Sequence, residues 1–595
     1  MSHLTRALRA STHPRQLILP LAAVAVIAVT SLSGRAAPTS AVTWTPMSPV
    51  NVAFTNSGGP TVTAGLLGIN DFHGAIDKPS GSGGAVNGTP AGGSEYLATT
   101  VKQLRAAHNA AHQPVVTVAA GDLIGASPLV SAAFHDEPAI EEMNNLGLNI
   151  SSVGNHEFDE GTLELRRMQR GGCHPVDGCQ DGDPYNGAKF QYLSANVVNK
   201  RTGHPFFPAY QIRRVGGVKV AFIGETLQGT AGIVNPNGIK YVQFLDEVTT
   251  ANKIVRNLRS GQGIRAFVLL LHQGGFQNPT AGAPDPNGCA NFSGDVAPIV
   301  AGLDPAIGVV LTGHTHQFYS CALPNKSGAN SVVTSAGNNG RLVTDITVTL
   351  SKRTGRFTAA SANNVIVTNS DPNRIDPGAK AIADKYRTAI APIANRVVGS
   401  ITADIDRTET PAGETPLGDV IADGMKAYTT SAGVQLAFMN PGGIRADLVY
   451  ANSSANEGDG VVTYGEAFAV QPFNNLVVTV TLTGDQIKAI LEQQFQPTVT
   501  KILQVSNGFT YTLNPAAPAG SRITDMQLNG VPVVGTTSYR VTTNDFLANG
   551  GDGFTNFAAA TNRTTAPGFD VDALAAYLGT GPIAPGPVNR ITLAP

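Results

Sequence analysis

Charge is scarce in this sequence, and the two signs nearly cancel. Charged residues make up 14% of the 595 residues, and 40 Lys and Arg stand against 42 Asp and Glu, which gives a formal net charge of -2. A chain with this balance has no overall field that would attract a nucleic acid polymer or an anionic membrane. Any recognition of a charged partner must therefore be local.

Cysteine is also scarce, with four residues at positions 173, 179, 289 and 321. If the chain is exported, as the N-terminal segment described below predicts, an even number of cysteines favours disulfides over reactive thiols. The simplest pairing joins each cysteine to its nearest neighbour in the chain, out of the three connectivities that four cysteines allow. A zinc site made by Cys173, His174 and Cys179 is the alternative, although its spacing is not that of a zinc ribbon or finger.

Long apolar runs are missing after the first 41 residues. Three arginines precede the apolar run 17–29, and small residues follow it at 36–41. This pattern is typical of a cleaved signal peptide, here residues 1–41, while a membrane anchor would need about 20 apolar residues. We therefore expect an exported protein, secreted or held in the cell envelope, with no stable membrane insertion after cleavage.

The remaining chain is too long for one core, since domains cluster near ~100–200 residues. After a linker over 42–62, short apolar runs alternate with helical or loop stretches over 63–370, which predicts an α/β domain. A stretch rich in Ala, Lys and Ile over 376–398 predicts a linker helix. Residues 399–595 then carry their own helices and alternating strands, and we expect a second domain there.

Five polar motifs each follow an apolar run directly. They lie at 70–73, 121–122, 154–159, 272–275 and 313–316. The carboxyl ends of strands in α/β folds are where ligands bind, so the motifs can converge on one crevice. Asp, Asn and His suit divalent ions such as Zn or Mn, and a bridging carboxylate can hold two of them. Any one motif alone is more typical of a turn or a hydrogen-bonded histidine.

Taken in order, D-x-H, G-D, G-N-H-E, H and G-H-x-H resemble the signature of calcineurin-like metallophosphoesterases. The resemblance implies a four-layer domain in which helices flank a β-sandwich. It also implies two divalent ions that lower the pKa of a bound water and so activate it for attack on a phosphate. Asp122 would bridge the ions. The implied ligands are Asp71, His73, Asp122 and His316 for one ion, and Asp122, Asn155, His272 and His314 for the other.

His156 and Asp159 in the third motif have implied roles that do not involve metal. The histidine would stabilise the transition state or protonate the leaving oxygen, and Asp159 would orient it. The alternative for Asp159 is a favourable charge at a helix N-terminus. A second histidine pair, His108 and His112, has the spacing of zinc ligands on a helix but lacks the Glu of H-E-x-x-H, so we expect a structural or solvent-facing role for it.

Three loops of the second half, 440–445, 471–475 and 544–554, combine glycines, an arginine and two phenylalanines. Such loops suit close approach of the backbone to an anion and stacking on a base, although the sequence alone favours a core role for the phenylalanines. Together with 414–419, however, they resemble the smaller α+β C-terminal domain of 5'-nucleotidases, which rotates to deliver substrate. The implied substrate-binding residues are Asn440, Gly443, Arg445, Phe473, Asn475, Phe546 and Asp552.

In that family the two phenylalanines clamp the base, the Asp binds ribose hydroxyls and the Arg binds phosphate. Some members place a further Arg where this chain has Ala412 and Gly413, and Arg407 is the upstream candidate for its role. The sequence thus predicts an exported dinuclear-metal phosphohydrolase of the 5'-nucleotidase type. The alternatives are a 2',3'-cyclic nucleotide phosphodiesterase or nucleotide-sugar hydrolase on the same scaffold, and a surface binding protein without turnover.

Overall fold

The computed structural model describes residues 50–54, 59–79, 84–280, 282–451, 455–496 and 499–594. The predicted signal peptide lies outside these ranges, as does the first part of the predicted linker 42–62. Within that linker, Val50–Ala53 forms a strand that pairs with Phe357–Ile366, so these four residues belong to a sheet. Among the described residues, no helix is long and apolar enough to cross a membrane.

Two sheets face each other in the N-terminal half and enclose an apolar core. Their inward side chains include Leu66, Val118, Val268 and Leu311, all buried. The first sheet runs in the order Val50–Ala53, Phe357–Ile366, Leu342–Ser351, Thr61–Ile69, Val115–Ala119, Ile150–Ser152 and Gln191–Leu193. The second runs in the order Phe318–Pro324, Asn330–Ala336, Ile307–Thr312, Ala266–His272, Val218–Thr226 and Tyr210–Val215.

Helices cover both outer faces of this sandwich, which confirms the four-layer prediction. Apolar residues of the helices and of the outer sheet faces form two further clusters. One face carries Ser94–Ala110, Leu129–Ala132, Glu137–Leu146 and Gly161–Arg170; the other carries Glu247–Gln262 and Val296–Gly302. Small two-stranded sheets are Ala85–Val86 with Thr89–Pro90 and Val197–Asn199 with Val242–Phe244.

The central strands of both sheets are parallel, and this sets where their ends meet. Thr61–Ile69, Val115–Ala119 and Ile150–Ser152 pair in parallel in the first sheet. Ala266–His272 and Ile307–Thr312 do so in the second. Their β-branched, largely buried sequences suit strands covered on both faces. All five carboxyl ends therefore open at one end of the sandwich.

Both predicted disulfides are present, joining Cys173 to Cys179 and Cys289 to Cys321. The first closes a short loop after the helix Gly161–Arg170, and the second fastens a loop to the strand Phe318–Pro324. Because Cys173 and Cys179 bind each other, the alternative zinc site through their thiols is wrong.

The C-terminal half has three sheets and five helices among its described residues. The largest sheet has the order Gln504–Val505, Leu436–Met439, Ser538–Asn544, Leu476–Thr483 and Thr561–Phe569. A four-stranded sheet has the order Val531–Pro532, Ile523–Leu528, Phe509–Leu513 and Ile591–Leu593. A three-stranded sheet has the order Val461–Thr463, Val397–Ile401 and Pro582–Ile583. The helices are Pro416–Tyr428, Tyr464–Val470, Gly484–Glu492, Asp545–Ala548 and Asp570–Leu578.

The linker helix spans Pro377–Ala394, shorter than the predicted 376–398 because Val397–Ile401 is already a strand. Asp376 is its N-cap, and its carboxylate accepts a hydrogen bond from the Ala379 N–H at 3.0 Å. The same carboxylate binds Lys102 Nζ at 2.7 Å and Asn145 Nδ2 at 3.0 Å. One side chain therefore both starts the linker helix and ties it to the N-terminal half.

Replacing Asp376 by Ala should loosen the start of the linker helix. Loss of an N-cap costs about 1–2 kcal/mol. Hydrogen–deuterium exchange of peptides from 377–394 should therefore speed up by about 5-fold to 30-fold. Asp371→Ala is the control, because that exposed carboxylate caps only a short 3-10 turn. Equal exchange in the two variants would contradict the role of Asp376.

Candidate metal centre and substrate pocket

Every predicted metal ligand lies at the common carboxyl end of the parallel strands. Asp71 and His73 follow Thr61–Ile69, and Asp122 follows Val115–Ala119. The remaining ligands follow or end the strands Ile150–Ser152, Ala266–His272 and Ile307–Thr312; they are Asn155, His272, His314 and His316. Residues far apart in the chain meet here because the two sheets share this edge.

The first group of side chains contains Asp71, His73 and His316, whose candidate ligand atoms lie within 4.8 Å of one another. Nε2 of His73 is 3.0 Å from Nε2 of His316, and Asp71 Oδ1 is 3.5 Å from the same His316 atom. His73 Nδ1 donates to the Gly125 carbonyl at 2.8 Å, which leaves Nε2 as a lone-pair donor when the ring is neutral.

The second group contains Asp122, His272 and His314, also within 4.8 Å of one another. Asn155 Oδ1 lies 3.1 Å from His272 Nε2 and 2.9 Å from His314 Nδ1. Nδ1 of His272 donates to the Ala120 carbonyl at 2.7 Å, so its Nε2 faces the group. The arrangement is that of a ligand set fixed by a backbone hydrogen bond on the far side of the ring.

Asp122 links the two groups. Its Oδ2 lies 2.9 Å from His272 Nε2 of the second group and 3.9 Å from His73 Nε2 of the first. This oxygen is buried, and its near neighbours are these imidazole nitrogens. A buried carboxylate is costly unless a positive charge compensates it, and either a protonated His272 or a bound divalent ion can do so. The residues therefore fit a pair of divalent ions, although their role as ligands stays a prediction.

Burial holds three of the imidazoles in the form that binds metal. It lowers the pKa of His73 and of His314 to about 3 and lowers the pKa of His316 well below its usual value. Neutral imidazole is the ligand form. Burial would also lower the pKa of His272, but the adjoining Asp122 carboxylate raises it to about 10. A cation would have to displace that proton from His272.

Five of the seven predicted ligands have a left-handed backbone. The φ angles are 48° for Asp71, 48° for His73, 50° for Asp122, 71° for His314 and 58° for His316. Such angles are uncommon outside glycine and cost about 1–3 kcal/mol each. They turn each strand end sharply, and strain concentrated in one cluster is typical of a functional site.

Two residues that support the ligands were given no role by the sequence. Glu157 is buried, and its carboxylate accepts the backbone N–H groups of Asp122 at 2.9 Å, Leu123 at 2.8 Å and Gly154. Asn70 donates to Asp71 Oδ2 at 2.7 Å. Both belong to the recognised motifs, but nothing in the sequence shows that Glu157 binds backbone rather than metal.

His156 stands at the entrance of this centre, beside the substrate loops. Its Nδ1 is 2.8 Å from Asp159 Oδ2, which is hydrogen-bond distance. Its backbone N–H donates to Asp122 Oδ1 at 2.9 Å. Burial would lower its pKa, but the Asp159 and Asp122 carboxylates raise it overall. The ring of Phe473 stacks against His156 with 5.7 Å between ring centroids.

A cavity of about 560 Å³ extends from His156 between the two halves of the chain. That volume is typical of small-molecule sites. All the predicted substrate-binding residues line it, and Ile233 to Pro236 of the N-terminal half form part of its wall. The lining includes Asn155, His156, Asp159, His314, Asn440, Gly443, Arg445, Phe473, Asn475, Phe546 and Asp552.

Within the cavity, Asp552 is held by two neighbours. Its Oδ2 accepts from Asn440 Nδ2 at 2.9 Å, and its Oδ1 lies 2.6 Å from Lys501 Nζ. Asn475 Nδ2 donates to the buried Asp570 at 3.1 Å, so this amide is tied to the domain's own core. Lys501 was missed by the sequence reasoning, because it belongs to none of the recognised motifs.

Three other residues that the sequence analysis discussed lie away from the metal centre. Arg407 donates to Asp447 Oδ1 at 2.8 Å and to the Ile444 carbonyl, which places it behind the Arg445 loop. His108 is buried between Gln113 at 2.6 Å and Asp345 at 2.7 Å, a structural role as expected. His112 is exposed.

The chain resembles known proteins over both halves. The calcineurin-like phosphoesterase model matches residues 66–318, and the 5'-nucleotidase C-terminal domain model matches 397–559. The cell wall protein Lmo0130 of Listeria monocytogenes is 34% identical over 87% of this chain and 67% of its own length. Endonuclease YhcR of Bacillus subtilis is 34% identical over 81% of this chain, which spans 37% of that protein.

Among solved structures, the 5'-nucleotidase precursor of Thermus thermophilus aligns with 89% of this chain and 99% of its own. The TM-score is 0.72 at 27% sequence identity. Fold and site thus define a metal-dependent phosphoesterase of the calcineurin-like class. With its C-terminal domain, the chain belongs to the 5'-nucleotidase family.

Glu157→Gln should weaken metal binding without unfolding the domain. An amide keeps the volume but turns an NH2 group toward a backbone N–H, so the Asp122 and Gly154 loops must shift. Loss of such support typically costs about 10-fold to 100-fold in metal affinity. Titration of the metal-free protein with Mn²⁺ measures the metal affinity. Glu142→Gln, a buried glutamate hydrogen-bonded to Ser94, should leave affinity unchanged; equal affinities in both variants would contradict this support.

Proposed function

We propose that this protein hydrolyses phosphate esters of nucleotides, as a 5'-nucleotidase type enzyme with two divalent ions. One observation carries the proposal. One cavity is lined by Asn155 and His314 of the second ligand group, by His156, and by the loops that carry Arg445, Phe473 and Phe546. The His73 ring of the first ligand group packs edge-on against His156, with 5.2 Å between ring centroids. A phosphate placed near the candidate ligands would thus have its nucleoside within reach of the C-terminal loops.

The metal ions would be held by Asp71, His73 and His316 on one side and by Asn155, His272 and His314 on the other, with Asp122 shared. Two such ions polarise a phosphate ester and supply a nucleophile at neutral pH. The nitrogen, amide and carboxylate donors suit Zn, Mn or a similar ion. His73 donates a hydrogen bond to the Gly125 carbonyl, and His272 donates one to the Ala120 carbonyl. These bonds fix the orientation of both rings with Nε2 toward the proposed ions.

His156 would act on the leaving oxygen. Asp159 binds its Nδ1, so Nε2 is the atom that can donate a proton or a hydrogen bond to substrate. Arg445 is part of the same cavity wall and brings a permanent positive charge to the phosphate. Its Cζ lies 5.9 Å from the ring centroid of Phe473. The proposed phosphate-binding and base-binding side chains are therefore neighbours on adjacent loops.

Phe473 and Phe546 would hold the base by stacking, which tolerates several bases. Asp552 would accept hydrogen bonds from ribose hydroxyls, with Asn440 and Lys501 fixing its position. A substrate without a base would leave the phenylalanine side chains without a partner. Nucleotide sugars and cyclic nucleotides keep the base, so they are the alternative substrates on this scaffold.

Export to the cell envelope or the medium is part of the proposal. Two disulfides support it, because disulfides persist in oxidising compartments. The similarity to a protein named as a cell wall protein also supports it. The predicted signal peptide 1–41 would provide the route.

Incubation with AMP, ATP, a nucleotide sugar, 2',3'-cyclic AMP and bis-p-nitrophenyl phosphate tests the substrate class. Phosphate release is measured for AMP and ATP, chromatography of the products for the nucleotide sugar and the cyclic nucleotide, and p-nitrophenol release for the last compound. We expect AMP to be hydrolysed with added Mn²⁺ or Zn²⁺ and Asp122→Ala to be inactive. Phe473→Ala should raise KM by about 5-fold to 150-fold, the equivalent of the roughly 1–3 kcal/mol that base stacking contributes. Phe54→Ala, which removes a ring outside the cavity, is the control. Turnover of none of these compounds would favour a binding protein instead.

Asp159→Asn should move the alkaline limb of the pH profile of kcat. Asp159 helps to raise the pKa of His156, so the ring stays protonated to higher pH in the wild type. Without that charge the pKa falls, and kcat should decline at a lower pH. Asp183→Asn, an exposed carboxylate in another loop, should leave the profile in place. An unchanged or upward-shifted limb in Asp159→Asn would refute the pairing.

A further inference from the structure

The end of the β-sandwich that lies opposite the metal centre is built around the amino ends of the parallel strands. Its loops are 216–217 before Val218–Thr226, 263–265 before Ala266–His272, 325–329 before Asn330–Ala336 and 352–356 after Leu342–Ser351. Asn330–Ala336 runs parallel to Ile307–Thr312, and Ser351 lies opposite Thr61, where its own strand begins. The four loops therefore share one end of the sandwich, away from the carboxyl ends that carry the candidate ligands.

Exposed positive side chains are concentrated on and beside these loops. Six of them define what we call the basic end: Arg214, Lys219, Arg265, Lys326, Lys352 and Arg356. Arg214 donates a hydrogen bond to the Gly217 carbonyl at 3.4 Å. None of the six forms an ion pair with a carboxylate among the described residues. Their charges therefore face solvent without a counter-charge from the described part of the chain.

Negative charge is almost absent from this end. The four loops, and the turns 59–60, 111–114, 147–149 and 303–306 that precede the other parallel strands, contain one acidic residue among their described positions, Asp304. Arg259 Nη2 lies 2.5 Å from Asp304 Oδ1, so this charge is already balanced. The whole chain has a net charge of -2. The two signs are thus separated in space, and the basic end is a local excess of positive charge.

Protection of sheet edges explains only part of this pattern. Tyr210–Val215 is an edge strand, and Lys or Arg on an edge discourages pairing with another chain. Arg214 on this strand lies directly opposite Lys219, although like charges in such a pair are destabilising. Arg265 and Lys352 lie on loops of inner strands, where no edge needs protection. An anionic partner would offset the repulsion and account for the whole set.

The basic end extends in two directions. In the second sheet, Lys326 lies at the hairpin of one edge, Arg265 precedes a central strand, and Arg214 lies on the opposite edge. Six strands spaced by about 4.8 Å make this row about 24 Å wide. The first sheet packs about 10 Å away and adds Lys352 and Arg356. The positive charge therefore covers a surface rather than a line.

A surface of phosphate groups matches this spread better than a single polymer strand does. Proteins that bind single-stranded nucleic acid add aromatic side chains that stack on the bases. In the described part of the chain, no exposed large apolar side chain lies on the loops of the basic end. The same loops therefore offer nothing that would enter the apolar part of a bilayer. Contact with lipid would be limited to the charged headgroups.

We propose that the basic end adsorbs to the surface of a membrane that contains anionic lipids, with the phosphate groups of their headgroups as its ligands. Each Lys or Arg near such a surface strengthens binding by about 5-fold. The attraction falls off within a Debye length, so the binding is reversible and weakens as salt rises. The proposal does not depend on the nucleotidase reaction.

Adsorption by this end would leave the candidate active site accessible. The candidate ligands lie at the other end of the same strands. A strand such as Val218–Thr226 has nine residues and spans about 30 Å. The cavity would thus face away from the lipid, and substrate would reach it from solution.

Vesicle sedimentation at low and high salt tests the proposal. One set of vesicles contains phosphatidylcholine alone, and in the other a third of the lipid is phosphatidylglycerol. Every variant is used in the same processed form, and its affinity ratio for the two vesicle types is compared, because any contribution of the apolar run 17–29 acts on both. The triple variant Arg265→Gln, Lys352→Gln, Arg356→Gln should lower the ratio by about 100-fold, or about 5-fold per charge.

The matched control is the triple variant Lys200→Gln, Arg201→Gln, Lys240→Gln, which removes three exposed charges from loops outside the basic end. It should keep the wild-type ratio. Equal affinity of the wild type for both vesicle types, or an equal loss in the two triple variants, would overturn the proposal. Binding to a single-stranded oligonucleotide but not to phosphatidylglycerol vesicles would also overturn it and assign the basic end to a polymer.

Hydrogen–deuterium exchange on the wild type gives a readout that needs no variant. On phosphatidylglycerol vesicles, peptides that cover the hairpin 352–356 should exchange more slowly than in solution. Peptides that cover the cavity wall 231–236 should be unchanged, because this wall lies near the metal centre. Protection of 231–236 without protection of 352–356 would contradict adsorption by the basic end.

Discussion

The Asp122 carboxylate is the contact on which the candidate site depends. Its Oδ2 lies between a histidine of each ligand group, and its Oδ1 accepts the backbone N–H of His156. The same side chain therefore sets the spacing of the two groups and the position of the proposed acid. Its own backbone is held by Glu157 in a left-handed conformation. The proposed pair of cations would offset this concentration of buried charge and strain.

The fold determines the directions from which these side chains point into the site. Parallel strands of two packed sheets end at one edge, and each end turns sharply to aim one or two ligands inward. The C-terminal half covers this edge with loops that carry Arg445, Phe473 and Phe546. In the proposed reaction, phosphate chemistry and base recognition are thus divided between the two halves, with His156 and Phe473 in contact at their boundary.

Much of the site could be predicted because its residues follow apolar runs at short, recognisable spacings. The predicted ligands obey this rule, whereas the loops around Phe473 and Asp552 were assigned by their resemblance to the C-terminal domain of 5'-nucleotidases. Glu157 and Lys501 could not be assigned in this way, since one binds backbone N–H groups and the other approaches Asp552 only after folding. The cations of the basic end are likewise brought together by the fold, because separate loops of both sheets carry them. The edge strand Val50–Ala53 was missed, as four residues carry little periodic signal.

Anomalous diffraction from crystals grown with Mn²⁺ and a non-hydrolysable analogue of AMP would test the central claim most directly. The account predicts two Mn²⁺ peaks about 3.5–4 Å apart with Asp122 between them. It also predicts the base between Phe473 and Phe546, with the phosphate facing His156 and Arg445. A single ion, ions that do not touch Asp122, or an analogue bound outside the cavity would contradict it.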